Sequence, residues 1–278
     1  GVGAFGEGAT LARVLTWITV GVMALCTLAL LPHAGRIIPL PVEWPPGMGP
    51  LTLDLGVTGL WATMVTIWAV WLALGASLHA DAQFSPLTAA VLLFSLAGAA
   101  VAFMAGHFGL RYIALEVVAL GVGLAPLLAK GAHKVRRATM TYLILRVGDA
   151  GLLMGILLLF AGSGTLDIRV ALEAGLNFAP GPRAWAAAGM LLAVWVKAGG
   201  WPFHAWMQAG RRAPHSLAWL SIVLMPNLAL YLLYKVMPLV AAAPAVHQVA
   251  LWAAAGWAFG AAALALLWSR RKRISVSG

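Results

Sequence analysis

The stretch Met190-Leu-Leu-Ala-Val-Trp-Val-Lys197-Ala-Gly-Gly-Trp-Pro-Phe-His-Ala-Trp206 is an apolar run with one lysine near its centre. A lysine at the middle of a membrane helix costs about 3 kcal/mol on insertion scales. Elsewhere, the only acidic residues at comparable depth in apolar stretches are Glu116 and Asp149. A membrane chain that keeps one buried cation and two buried carboxylates is expected to use them, and ion movement is the use, protons first.

Composition supports the membrane reading. Of 278 residues, 62% are hydrophobic and 9% charged, against roughly 25% charged in soluble domains. The single cysteine, Cys26, lies in an apolar run, which excludes a disulfide framework and a cysteine metal site. The formal charge of +10 is not read as nucleic-acid binding, because the basic residues fall between apolar spans, where they orient a chain in the bilayer. The chain does not begin with methionine and is expected to be a processed or tagged product. Its first apolar run is too long for a secretory leader and has no small-residue cleavage site.

A span needs about 20 apolar residues. Eight stretches qualify, near 13–32, 55–79, 86–106, 110–129, 138–161, 184–207, 215–237 and 246–269. The expected fold is an all-α polytopic membrane protein with eight transmembrane helices, one discontinuous near Pro202. Pro39–Pro50 reads as an external loop, and 162–183 as a second, partly amphipathic one. On the side of both termini stand Arg13, Lys130, Lys134, Arg136, Arg137, Arg211, Arg212 and Arg270–Arg273, eleven basic residues. The opposite loops hold Arg36, Arg111, Arg169 and Arg183, which is four. The positive-inside rule then predicts both termini in the cytoplasm, in a cytoplasmic (inner) membrane of prokaryotic type. The basic tail Arg270–Arg273 either stops translocation and meets anionic lipid or docks a cytoplasmic partner. Three regions follow: an N-terminal span and external loop (1–54), a central region carrying Glu116, Asp149 and Lys197 (55–237), and a last span with the basic tail (238–278).

Glu116 falls about a third of the way into its span and Lys197 just past the middle of its own, so both reach similar depth. Desolvation disfavours both charged forms, and a nearby opposite charge restores them. At about 4 Å and an effective dielectric near 20 such a pair couples by about 4 kcal/mol, or roughly three pKa units. A changing Glu116–Lys197 separation would load or release a proton near neutral pH; a static pair that holds helices together is the alternative. Arg146 and Asp149, at i and i+3, share a helix face and can pair there. Pro202, behind Gly199 and Gly200, interrupts the Lys197 span by removing a donor and clashing with a preceding carbonyl. Broken helices recur at transporter ion sites, a plain kink being the alternative. His204 and His215 flank the break as relay imidazoles or as ordinary helix-end histidines. Ser221 and Asn227, beside Pro226, either hold water near the break or pack.

Other signals are discounted. Gly1-Val-Gly-Ala-Phe-Gly6 matches GxGxxG but follows no strand, and reads as a flexible terminus. Most of the 13 tryptophans are expected at span ends or on lipid faces. Gly151 and Gly155 form a GxxxG pair that permits close helix packing. No His/Cys metal spacing, nucleophile elbow or P-loop is found, so the chain shows no catalytic chemistry of its own, no cofactor and no metal site.

Three segments resemble the antiporter-like membrane subunits shared by respiratory complex I, membrane-bound hydrogenases and Mrp-type cation/proton antiporters. Tyr112-Ile-Ala-Leu-Glu116-Val-Val-Ala-Leu-Gly-Val-Gly-Leu looks like that family's glutamate helix. Leu145-Arg-Val-Gly-Asp149, with Gly164-Thr-Leu-Asp167, resembles the next helix and its loop. Lys197-Ala-Gly-Gly-Trp-Pro-Phe-His-Ala-Trp206 resembles its lysine-bearing broken helix. The likeness covers roughly 50–237 and implies that Glu116 and Lys197 are the central proton-pathway pair, with Arg146 and Asp149 as neighbours. Family members usually start outside, with one more helix before the glutamate helix; without it the start is cytoplasmic, in agreement with the charge count. Two departures stand out. The family usually has two inverted five-helix repeats and about 14 spans, whereas this chain holds one repeat with flanking helices. Ala213-Pro-His-Ser-Leu-Ala-Trp-Leu-Ser221 has leucine or serine about where the family's histidine falls, and His215, or water near Ser221 and Asn227, would stand in for it.

The resemblance implies other membrane and peripheral subunits of a larger complex as partners, and protons as cargo, with Na+ or K+ left open. A proton-translocating subunit, redox-driven or an antiporter, is the first reading; it would make the chain part of a translocase. The second is the membrane partner of a DAB-type inorganic-carbon accumulation complex, powering a soluble zinc subunit. A third is a degenerate homologue that anchors other subunits.

Overall fold

In hydrocarbon each backbone N–H and C=O must find its partner inside its own segment, so long apolar runs become helices. The computed structural model describes residues 2–43, 46, 50–77, 84–129, 132–210, 213 and 215–276, with side chains for these except 2–9, 77, 209–210, 215 and 264–276. The helices are α1 (Val2–Leu30), α2 (Val57–Ser77), α3 (Pro86–Met104), α4 (Phe108–Leu124), α5 (Lys134–Ser163), α6 (Ile168–Leu176), α7 (Pro180–Lys197), α8 (Ala205–Gly210), α9 (His215–Trp219), α10 (Met225–Ala241) and α11 (Pro244–Val276). Among the described residues, six helical stretches are long and apolar enough to cross a membrane: Thr10–His33, Val57–Ala76, Pro86–Met104, Phe108–Leu128, Lys134–Ser163 and Ser216–Ala241. The chain is thus an all-α polytopic membrane protein. The remaining two expected stretches correspond to α7 with α8, and to α11. Lys130, Arg211 and Arg212, counted above for orientation, lie outside the described residues, and the side chains of Arg270–Arg273 are not described.

α5 shows how the bundle is built. Its buried face runs Ala138, Thr141, Leu145, Gly148, Asp149, Leu152, Gly155, Ile156 and Leu159, the three-and-four spacing of one helix side. Its outward face carries Met140, Leu143, Val147, Leu153 and Leu157, all exposed. The inward face mixes small and polar residues with leucine and isoleucine while these outward residues are all apolar, because lipid is as apolar as leucine and helix association relies on close packing. α5 packs chiefly on α7, and α7 also on α10. At this contact a Cβ on Gly151 would sit 2.9 Å from the Gly189 carbonyl oxygen, so the two backbones touch.

The Pro-rich segment expected as a loop is instead part of an antiparallel hairpin, β1 (Ile37–Glu43) on β2 (Pro50–Asp54), pairing Ile37 with Asp54 and Pro39 with Thr52. Proline is compatible with a two-stranded edge because an outward-facing position needs no donor. The hairpin is stitched to two further loops at one end of the bundle. Gly106 N–H donates to Thr52 O at 2.8 Å, Phe108 N–H to Leu166 O at 2.8 Å, and Ile168 N–H to Gly106 O at 2.9 Å. Residues 162–183, read as a loop, also hold α6 and the first turn of α7. One further expectation is corrected: α1 begins at Val2, so the Gly-rich start is helical rather than a flexible terminus. Trp206 is fully buried, while Trp61, Trp185, Trp201 and Trp252 are exposed.

His107 caps α4 within these stitches, its Nδ1 accepting from Gly109 N–H at 3.1 Å. Burial holds its pKa below the usual value, and Asp167 opposes this in part. The folded protein therefore prefers the neutral ring, and the unfolded chain binds the proton first as pH falls. Stability from this group is fully present above about pH 6.5 and declines below it. His107→Gln is expected to flatten the decline in thermal unfolding temperature of the detergent-solubilised protein below that pH; an unchanged profile would refute the assignment.

Candidate functional site

α7 ends at Lys197, and its terminus is a Schellman motif. Gly200 N–H donates to Trp195 O at 2.9 Å and Gly199 N–H to Val196 O at 3.0 Å, with Gly199 at φ +73°. Glycine adopts this left-handed conformation without steric penalty. The sequence expectation assigned the interruption to Pro202, but the helix has already stopped five residues earlier at the glycine pair. Two indoles hold the unwound turn. Trp206 Nε1 donates to Val196 O and Trp195 Nε1 to Trp201 O, both at 2.9 Å. The first is a second donor to Val196 O beside Gly199 N–H, and the other satisfies a carbonyl of the turn.

Lys197 thus sits on the last helical residue, where the negative end of the helix dipole favours a cation, and it is 0% exposed. Its Nζ donates to Asp149 Oδ1 at 2.5 Å. Asp149 Oδ2 lies 2.8 Å from Arg146 Nη2, and Arg146 Nη1 forms an ion pair with Glu116 Oε2. The ion pairs therefore form a chain Glu116–Arg146–Asp149–Lys197 across α4, α5 and α7. This corrects the expected direct Glu116–Lys197 pairing: Lys197 meets Asp149, and Arg146 stands between the two carboxylates. The reason is geometric. Close α5–α7 contact at Gly148 and Gly151 brings Asp149, rather than Glu116 on α4, to the end of α7. Side-chain exposure falls from 18% at Glu116 and 29% at Arg146 to 3% at Asp149, so the chain runs from the bundle's flank to its interior. Arg146 also lies over the Tyr142 ring, 4.9 Å from its centre, one turn back on the same helix.

The remaining candidates stand apart from this chain. His204 lies in the turn before α8, half-buried, with its ring 5.9 Å from Trp257 and its Nδ1 buried without a partner. His215 opens α9, and its side chain lies outside what is described. Ser221 is buried in a π-helical segment, Leu220–Leu224, and its hydroxyl has no hydrogen-bond partner. Asn227 is half-buried in the first turn of α10. Among the described residues no group of three His, Cys, Asp or Glu is placed to hold a metal. Sequence reasoning missed the buried Thr141 hydroxyl, also unpartnered, two turns before Asp149 on α5. It also missed a second charged cluster of Arg111, Asp54 and Lys235. Arg111, expected in an external loop, is buried in the first turn of α4.

A polytopic helical bundle with a chain of buried ion pairs ending at a broken helix defines a class of membrane subunit. The profile of the family described as "NADH:quinone oxidoreductase/Mrp antiporter, TM" matches residues 105–275, and the chain belongs to that family. NADH-quinone oxidoreductase subunit N of Neisseria gonorrhoeae is 31% identical over 120 residues, 41% of this chain and 24% of that protein. The fold is similar to a chain of the Mrp complex from Dietzia sp. DQ12-45-1b, with TM-score 0.74, 20% identity, and coverage of 81% of this chain and 25% of that one. It is also similar to a chain of the membrane-bound sulfane sulfur reductase, an archaeal respiratory membrane complex, with TM-score 0.67, 18% identity, and coverage of 84% and 40%. The chain spans about a quarter of the length of the curated relative it matches.

Proposed function

We propose that the chain is a proton-translocating, antiporter-like membrane subunit of a larger energy-converting complex, and that Glu116–Arg146–Asp149–Lys197 carries the proton. The observation behind this reading is the fully buried Lys197 on Asp149 at the end of α7. Removing ions from water costs several kcal/mol each, and a buried pair is weak as a stabilising device, so function is the better reason to keep it. Arg146 is the moving part. It does not give up a proton itself, but it contacts both carboxylates and can shift its hold between them. While Asp149 faces Lys197, the ammonium is held; when Arg146 draws Asp149 away, Lys197 is left without a counter-charge and gives one N–H proton to a water at the unwound turn, becoming a neutral amine that a later proton restores. Glu116, at the exposed end, is where a proton joins or leaves. Family membership and the multi-subunit complexes of its structural relatives support partner subunits. Eight crossings with both termini in the cytoplasm, in a prokaryotic inner membrane, fit the charge count and the lengths of α7–α8 and α11.

The test is Lys197→Ala in proteoliposomes carrying an internal pH dye. Proton flux is expected to fall by about 100-fold or more, the scale of a positioned proton-transfer group. Flux equal to the unsubstituted chain would sink the reading and leave a structural ion pair.

A further inference from the structure

Arg111 is a buried cation that makes no ion pair among the described residues. It is 3% exposed. Its Nη2 donates to Ala105 O at 2.6 Å and its Nε to Ala102 O at 3.2 Å, but Nη1 has no partner. The Tyr231 ring, centred 5.3 Å from the guanidinium carbon, offers the negative face of a quadrupole rather than a counter-charge. Lys235, one turn further along α10, has its Nζ 5.7 Å from the same ring centre. Two cations therefore meet at one aromatic ring. The carboxylate paired there is Asp54, whose Oδ2 lies 3.3 Å from Lys235 Nζ and whose Oδ1 accepts from Gly56 N–H at 2.9 Å. A charge taken out of water without a counter-ion is costly, and Arg111 is left in that position.

Arg111 and Lys235 both line a cavity of about 360 Å³ beneath the hairpin, a size that small ligands occupy. α6 brings Asp167, Arg169 and Glu173 to its lining. Asp167 is engaged as the N-cap of α6, its Oδ1 accepting from Val170 N–H at 3.0 Å. Among the described residues no three acidic or imidazole groups are placed to hold a metal, so the carboxylates here do not form a cation site. Ile37 and Leu176, both exposed, add apolar surface to the lining. Asp54 stands three residues before α2 and Arg111 in the first turn of α4, the level at which hydrocarbon gives way to headgroups. We propose that this cavity is an anion site that takes a phosphate group, with Arg111 Nη1 and Lys235 Nζ as its donors. Lys235 can serve because its ammonium has three N–H donors and Asp54 takes one of them. The anion supplies the counter-charge that Arg111 lacks, through charge-assisted hydrogen bonds stronger than those to neutral carbonyls. Two sources share this chemistry: a phospholipid headgroup, whose acyl chains would pass Ile37 and Leu176, and free inorganic phosphate. None of these residues belongs to the Glu116–Lys197 chain, so the site stands whether or not protons move along it.

The test follows thermal unfolding of the full chain, delipidated in detergent. It is titrated with short-chain phosphatidylglycerol, with the matching diacylglycerol, and with sodium phosphate against sodium chloride at equal ionic strength. A ligand of the folded state raises the unfolding temperature as its concentration passes its Kd. The expected result is such a rise with phosphatidylglycerol, with phosphate or with both, and none with diacylglycerol. A rise with the lipid alone assigns the site to a headgroup, and a rise with inorganic phosphate shows that the free anion enters it. Lys235, 22% exposed, can be changed without opening a buried gap, whereas loss of Arg111 risks the fold. Lys235→Gln is expected to weaken the apparent affinity about 10-fold or more, the loss of one hydrogen bond to a charged group. Glu173→Gln, which removes a carboxylate from the lining, is not expected to weaken it. No rise with either ligand overturns the site, and so does a rise with diacylglycerol equal to that with phosphatidylglycerol. Native affinity in Lys235→Gln, or weakened affinity in Glu173→Gln, also overturns it.

Discussion

Asp149→Ala is expected to abolish proton flux and to lower unfolding free energy by about 3–5 kcal/mol, the range for removing one partner of a buried pair. Asp149 is the one carboxylate in contact with both Arg146 and Lys197. Its removal leaves Arg146 on Glu116 but strands Lys197, which is fully buried. Because an isolated ammonium in the hydrocarbon is costly, the helix end must move or Lys197 must become neutral. The double substitution Asp149→Leu with Lys197→Met removes both charges together and is expected to recover most of the stability, since apolar replacement of a buried pair is often neutral or stabilising. It is not expected to recover flux. Thermal unfolding in detergent beside proteoliposome flux reads both. A stable Asp149→Ala protein with native flux would remove Asp149 from the path.

Gly189→Leu is the second large effect. A Cβ at Gly189 would stand 2.6 Å from Gly151 O and 3.1 Å from Gly155 N. Both obstacles are backbone, so α5 and α7 must separate. Overpacking of this kind costs about 1–3 kcal/mol. The separation also pulls Asp149 from Lys197, and a misplacement of about 1 Å can lower rates about 100-fold. Flux is therefore expected to fall on that scale although every ionisable residue remains. Gly256→Leu on α11, where a Cβ meets nothing within 4 Å, is the control and is expected to behave as the native chain. Equal flux in the two would show that α5–α7 spacing does not govern the ion contact.

Much of the fold was legible because the bilayer simplifies the rules. Apolar runs of about 20 residues declare helices, and the GxxxG spacing of Gly151 and Gly155 marked a close helix contact without naming its partner, which is α7. The cost of charge in lipid made Lys197, Glu116 and Asp149 conspicuous, and the i, i+3 spacing anticipated the Arg146–Asp149 contact. What stayed hidden was partnership between helices. Two carboxylates at similar depth are indistinguishable to a lysine until the helix order around the bundle is known, so Glu116 was preferred where Asp149 stands. The Schellman cap was visible as Gly199-Gly200, yet the more conspicuous Pro202 drew the explanation. Arg111 looked like a loop charge because it lies near a span end, and Lys235 drew no reading; only the fold brings them together. Asp54 carried no signal of its own.

The backbone stitches at the hairpin end bear on how the protein can move. There, the hairpin and the loops before α4 and α6 share direct hydrogen bonds, so the elements they join cannot slide past one another without breaking several at once. At the opposite end α7 has already unwound after Lys197, and short helices carry the chain on to α10. One end is therefore tied backbone to backbone, and the other by two indoles and the Lys197–Asp149 contact. If the proposed path alternates its access by rocking, side-chain contacts at the Lys197 turn break before backbone bonds at the hairpin do.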